Sequence, residues 1–112
     1  MVAVYIGCLA STSDCIAAAE RCAVACGTSG KAERGRCALF AHDCAAIGRL
    51  VETLMLRHGR YASDACRLLA TACDDFADLC AQWPHADCCR DAQKAARACA
   101  AACRTCVMEE AA

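Results

Sequence analysis

Proline occurs once in this chain of 112 residues, glycine six times, and aromatic side chains amount to two Phe, two Tyr and one Trp. So few turn formers exclude the loop-rich architecture by which small disulfide domains are built. An excess of either charge is also missing, with 12 basic and 13 acidic residues and a net charge of -1. No basic stripe interleaved with aromatics is present, which removes the footprint of a nucleic-acid surface. No run approaches the roughly 20 apolar residues of a membrane span. The opening Met1-Val2-Ala3-Val4-Tyr5-Ile6-Gly7-Cys8 has no Lys or Arg ahead of a short apolar run and is a poor lipoprotein-type cleavage site. The expectation is therefore a chain that is not exported and works in the cytoplasm.

Alanine, with 28 residues, and cysteine, with 14, are abundant. Alanine has the highest helix propensity, so the length predicts one compact helical domain over residues 1–112. Breaks fall at Gly27-Thr28-Ser29-Gly30, at His58-Gly59, with Gly59 as a C-cap, and at Trp83-Pro84, with Pro84 in the first turn of a fourth helix. They predict helices at about 3–26, 31–58, 62–83 and 85–109. Short connections make consecutive helices antiparallel, giving an all-α, up-down-up-down four-helix bundle. The cluster Ser11-Thr12-Ser13-Asp14 is read as internal to the first helix, because Cys8, Cys15 and Cys22 keep a spacing of seven across it.

Heptad phasing puts the thiols on inward seams. The first seam is Tyr5, Cys8, Thr12, Cys15, Ala19, Cys22 and Cys26. The second is Cys37, Phe40, Cys44, Ile47, Val51, Leu54 and His58. The third is Ala62, Cys66, Leu69, Cys73, Phe76, Cys80 and Trp83, and the fourth is His85, Cys89, Ala92, Ala96, Cys99, Cys103 and Cys106. Only Cys88 stands off, one position from its seam.

Residues seven apart on a helix lie about 10.5 Å apart along the axis, too far for a disulfide, whereas i,i+4 thiols stack on one face and can grip one ion from two sides. Soft thiolates select Cu(I), Zn(II) or iron–sulfur clusters. A Cu(I) that replaces each thiol proton adds no net charge. A Zn(II) on four thiolates leaves two negative charges, which a buried core resists. All fourteen cysteines, Cys8, Cys15, Cys22, Cys26, Cys37, Cys44, Cys66, Cys73, Cys80, Cys88, Cys89, Cys99, Cys103 and Cys106, are thus expected metal ligands. Met55, His58 and Met108 at one bundle end and His85 at the other are candidate accessory ligands. A rough register collects Cys22, Cys26, Cys37, Cys80, Cys88 and Cys89 at one end and Cys8, Cys15, Cys66, Cys99, Cys103 and Cys106 toward the other, leaving Cys44 and Cys73 between.

Competing readings are a zinc-buffering bundle and a structural protein held by inter-helix disulfides. Cys103-Arg104-Thr105-Cys106 is a CxxC, but no βαβ pattern surrounds it and Val107 comes next, which excludes thioredoxin-like and c-type haem readings. No general base is paired with a nucleophile, so no enzyme is expected. His42 falls off the seam, and Leu39, Leu50, Leu56, Leu68 and Leu79 lie outside it, which points to association with other copies.

The thiol array resembles the bacterial four-helix-bundle copper storage proteins of the cytosolic type. The resemblance rests on Cys22-Ala23-Val24-Ala25-Cys26, Cys99-Ala100-Ala101-Ala102-Cys103, Ala65-Cys66-Arg67-Leu68 and heptad-spaced thiols on all four helices. It implies storage of many Cu(I) ions, delivered by a copper chaperone or a small thiol, in a homotetramer. Phe40, Ile47, Leu69 and Phe76 stand where this family can place further cysteines, which implies a reduced capacity.

Overall fold

A computed structural model describes residues 2–111, with side chains from residue 5 to 109. Four α-helices succeed one another: α1 Val2–Gly27, α2 Ala32–Leu56, α3 Ala62–Cys80 and α4 Asp87–Ala111, with no strand among the described residues. They run along the long axis of a 45 × 20 × 17 Å body. α1 packs on α2 and α4, and α3 on the same two, so the bundle is square in section. Sulfur contacts give its antiparallel sense. Seven residues forward on α1, from Cys15 to Cys22, moves the partner seven back on α2, from Cys44 to Cys37, and these two in turn meet Cys73 and Cys80 of α3. No helix among the described residues is long and apolar enough to cross a membrane.

The helix ends differ from expectation for local reasons. α2 stops at Leu56, and the left-handed residue that caps it is His58, with φ 52°, not Gly59. The His58 N–H donates to the Met55 carbonyl at 3.1 Å and the Gly59 N–H to that of Leu54 at 2.7 Å, the paired bonds of a Schellman cap. α3 ends at Cys80 and α4 begins only at Asp87, so Pro84 lies in the connection and not in the first helical turn. The N–H groups of Gln82, Trp83 and Ala86 satisfy the carbonyls of Leu79, Cys80 and Trp83, and Arg90 donates to the Pro84 carbonyl at 3.0 Å. After α1, Gly30 takes φ 77°, while the hydroxyls of Thr28 and Ser29 satisfy the carbonyls of Val24 and Cys26. Ser11–Asp14 makes no break, and Thr12 is wholly buried.

The seam of α2 is rotated from its sequence phasing. Its buried residues include Cys37, Ala41, Cys44, Gly48, Val51 and Met55, while Phe40, Ile47 and Leu54 are only half-buried at the flank. Small residues win the inward positions because α1 comes close. A Cβ on Gly48 would stand 2.8 Å from Ile16 Cγ1. Gly48→Ala is therefore expected to lower the melting temperature although alanine favours a helix by about 1 kcal/mol over glycine. The same change on an Ile16→Ala background should cost less than on the parent; equal costs would refute the close approach. The other seams hold within the helices, with Leu69 and Phe76 fully buried, but Tyr5 and Trp83 are only half-buried and His85, outside α4, is exposed; Leu79 is buried, whereas Leu39, Leu50, Leu56 and Leu68 are exposed.

Candidate metal centre

Thirteen cysteines are buried and Cys88 is half-buried, and all fourteen are free thiols in this structure. Their sulfurs form two arrays. Six gather where the α1–α2 and α3–α4 connections meet. Cys22 lies 3.8 Å from Cys26 and 4.0 Å from Cys37, Cys37 lies 3.8 Å from Cys80, and Cys26 lies 3.8 Å from Cys89, which is 3.9 Å from Cys88. Cys22, Cys37, Cys80 and Cys89 have all four sulfurs within 4.8 Å of one another, as do Cys22, Cys26, Cys88 and Cys89.

The other eight fill the opposite half. Cys15, Cys44 and Cys73 form a triangle with sides of 3.6 to 3.8 Å. Cys8, Cys66 and Cys103 form another, with Cys8 and Cys103 at 3.8 Å. Cys99 is coupled electrostatically to Cys103 on one side and to Cys15 and Cys73 on the other, and Cys106 to Cys8 and Cys66. Cys44 and Cys73 therefore belong to this array and do not stand apart between two ends. What separates the arrays is a sulfur-free layer containing Ala19, Ala41, Phe76 and Ala96, all wholly buried. The seven-residue step from Cys15 to Cys22 makes that gap about 10.5 Å of helix rise.

Burial and mutual hydrogen bonding divide the thiols into a few that ionise readily and many that hold their protons. Interaction with Cys103 and Cys66 brings Cys8 down to about 3, that with Cys22 and Cys80 brings Cys37 to about 3, and that with Cys15 and Cys73 brings Cys44 to about 5. Cys99 is likewise lowered, by Cys103, Cys15 and Cys73. Cys15, Cys22, Cys73 and Cys103 are pushed well up by Cys44, Cys37, Cys15 and Cys66 respectively. Burial raises Cys106, and burial with Cys26 raises Cys89 to about 12. In Cys66 a donor in Cys103 favours ionisation, but its bond to Cys8 and its burial prevail and push it to about 12.

The signs set a pH dependence. A raised thiol keeps its proton in the fold where the unfolded chain loses it near 9, so its contribution is complete below that pH and disappears as the pH climbs toward 12. A lowered thiol contributes in the opposite sense, above 9, and loses its share as the pH falls toward 3. Raised thiols outnumber lowered ones, so the metal-free protein should lose stability between pH 9 and pH 12. Urea unfolding at a series of pH values checks this, and a midpoint that rises across that window would contradict it.

Around the arrays stand groups other than cysteine. The Met55 sulfur is buried 4.0 Å from Cys66 Sγ. His58 is exposed and stacks on Tyr5 at 5.8 Å. Met108 is 72% exposed and lines a cleft of about 370 Å³ with Arg67, Arg104 and Cys103, and His85 is exposed in the α3–α4 connection. His42 faces solvent. Two partners were not picked out from sequence. The Thr12 hydroxyl sits 3.7 Å from Cys99 Sγ, foreshadowed by its place between Cys8 and Cys15 on the seam. Arg34 reaches Cys26 Sγ with Nε at 3.3 Å and Cys88 Sγ with Nη2 at 3.7 Å. Nothing in the spacing announces that residue, which lies outside the seam.

A square helical bundle with unpaired, mutually touching thiols along its axis is a binder of several soft metal ions, since no other chemistry on these helices uses so many inward sulfurs. Residues 2–108 match the family described as copper storage protein, Csp, and the chain belongs to that family. Among solved structures it is similar to Cu(I)-bound copper storage protein BsCsp3, with 26% identity, a TM-score of 0.84, and coverage of 91% of this chain and 96% of that one. Apo-Csp3 from Bacillus subtilis aligns with 27% identity, a TM-score of 0.78, and coverage of 90% and 96%. The Nmul_A1745 protein of Nitrosospira multiformis shares the fold at 21% identity and a TM-score of 0.86, over 97% and 99% of the two chains. No curated protein matches the sequence significantly.

Proposed function

We propose that the protein stores multiple Cu(I) ions on the thiolates of its core, acting as a single metal-binding domain. The observation that carries this is the pair of sulfur arrays, fourteen free cysteines drawn from all four helices, eleven of which have another cysteine sulfur 3.6 to 4.0 Å away. Each Cu(I) that displaces one thiol proton leaves the core neutral, so many ions can accumulate where divalent ions would build up charge. All fourteen cysteines are proposed ligands, with the Met55 thioether accessory to Cys66; Met108, His58 and His85 stand nearer solvent, where they would meet incoming ions. Anaerobic titration of Cu(I) against a competing chelator, with native mass spectrometry, should find a number of ions approaching the number of thiols. Saturation at one or two would defeat storage.

One arrangement favours a second reading. With Zn–S bonds of 2.3 Å, the edges of a tetrahedral site measure about 3.8 Å. Cys22, Cys37, Cys80 and Cys89 come near that, with Cys37 to Cys80 at 3.8 Å and Cys22 to Cys37 at 4.0 Å. A zinc-buffering protein would bind about one ion per four cysteines and prefer zinc in competition.

Free thiols at these separations are compatible with a reducing compartment, which supports a cytoplasmic location. Exposed Leu39, Leu50, Leu56 and Leu68 support association of copies of the chain, with a homotetramer the expected state. Copper would then arrive from a chaperone or a small thiol. Membership of a storage family favours a non-catalytic role.

A further inference from the structure

The charge balance that makes a full core neutral fails while the core is nearly empty. When thiols outnumber copper, Cu(I) binding to two protonated thiols releases two protons and leaves a bis-thiolate complex with one net negative charge. An uncompensated buried charge is costly, so the first ion belongs where a fixed positive charge already stands. Among the described residues, one place meets that condition with direct contacts. Arg34, in the first turns of α2, places Nε 3.3 Å from Cys26 Sγ at the end of α1 and Nη2 3.7 Å from Cys88 Sγ at the start of α4. Its guanidinium carbon lies 5.9 Å from the ring centre of Trp83, in the α3–α4 connection, so a cation–π contact holds the charge in position. All four helices or their connections therefore converge on this corner, where Cys22, Cys26, Cys88 and Cys89 have their sulfurs within 4.8 Å of one another.

We propose that Cys26 and Cys88, beneath Arg34, hold the first Cu(I) taken up, with Arg34 as the counter-charge of the bis-thiolate complex. Filling then proceeds from this corner through Cys22 and Cys89: a later ion that removes one further thiol proton adds no charge, and one that bridges thiolates already formed, releasing no proton, cancels the excess. Arg34 is a positioning residue in this scheme and not a ligand. The proposal rests on the Cu(I) storage reading, since it concerns the order in which that cargo is bound.

The test is the affinity for the first equivalent of Cu(I), measured anaerobically against a competing chelator, together with total capacity by native mass spectrometry. Arg34→Met keeps the aliphatic stem and removes the charge. It should weaken first-ion binding by about ten-fold, the scale of a lost hydrogen bond to a charged group, and leave capacity unchanged. Arg34→Lys should restore part of the loss, which a purely structural role for the guanidinium plane would not predict. Cys88→Ser should weaken the first ion, whereas Arg36→Met, which removes a charge of the same helix that lies over the Phe40 ring, should not. First-ion affinity that is the same in Arg34→Met and the parent, or lowered equally by Arg34→Met and Arg36→Met, overturns the proposal. A parent protein that saturates at one or two ions overturns storage instead, and the ranking of the variants still decides whether Arg34 sets the first site.

Discussion

Replacing Cys15, Cys44 and Cys73 together by alanine is expected to remove about three Cu(I) ions from the capacity and to leave the six-sulfur array at the loop end filled as before. The three sulfurs form one triangle with sides of 3.6 to 3.8 Å, and they are coupled electrostatically through Cys99 to the rest of the eight. They have no such contact with Cys22 or Cys80, because the layer of Ala19, Ala41, Phe76 and Ala96 offers no donor atom. Alanine is a small apolar replacement for a buried thiol, so the bundle should survive the exchange. Native mass spectrometry of the loaded variant reads the stoichiometry directly. Copper lost in proportion from both halves would show that the arrays behave as one, and that the alanine layer does not divide them.

Phe76→Ala is expected to have the largest effect on folding, and copper should mask it. Phe76 is the largest wholly buried side chain among the described residues, in a core otherwise made mainly of alanine and cysteine. Truncating such a residue costs about 3–5 kcal/mol, against a folding free energy that for a domain of this kind is about 5–15 kcal/mol. The metal-free variant should therefore melt at a much lower temperature than its parent. Cu(I) binds the folded array and ties helices together, so mass action should return much of the loss on loading. Thermal unfolding of both proteins, with and without copper, measures this. A loaded variant as unstable as the metal-free one would mean that the ions do not brace the core. A metal-free variant as stable as its parent would mean that Phe76 is not the keystone of the dividing layer.

The spacing of cysteines made much of the site legible in advance. Thiols at steps of three, four and seven residues on helix-forming sequence have to share an inward stripe, and thirteen of the fourteen are buried. Cys88, one position off, is half-buried, as its phase implied. The α2 phasing failed for Phe40, Ile47 and Leu54 because hydrophobicity alone favoured the large residues. The fold instead turned Ala41, Gly48 and Met55 inward, where α1 leaves room for little more than a hydrogen at Gly48. The α2 terminus likewise put His58, not the neighbouring glycine, in the left-handed position.

Alanine content, scarce turn formers and the heptad rhythm of the thiols were by themselves enough to determine four antiparallel helices with sulfur inside. Local propensity and helical periodicity act along the chain and are complete in its order of residues. The division into six and eight sulfurs, the sulfur-free layer, and the grip of Arg34 on Cys26 and Cys88 were decided only in three dimensions. They depend on the relative rotation and axial offset of neighbouring helices, which are set by how closely side chains on different helices can approach, and no single helix encodes that.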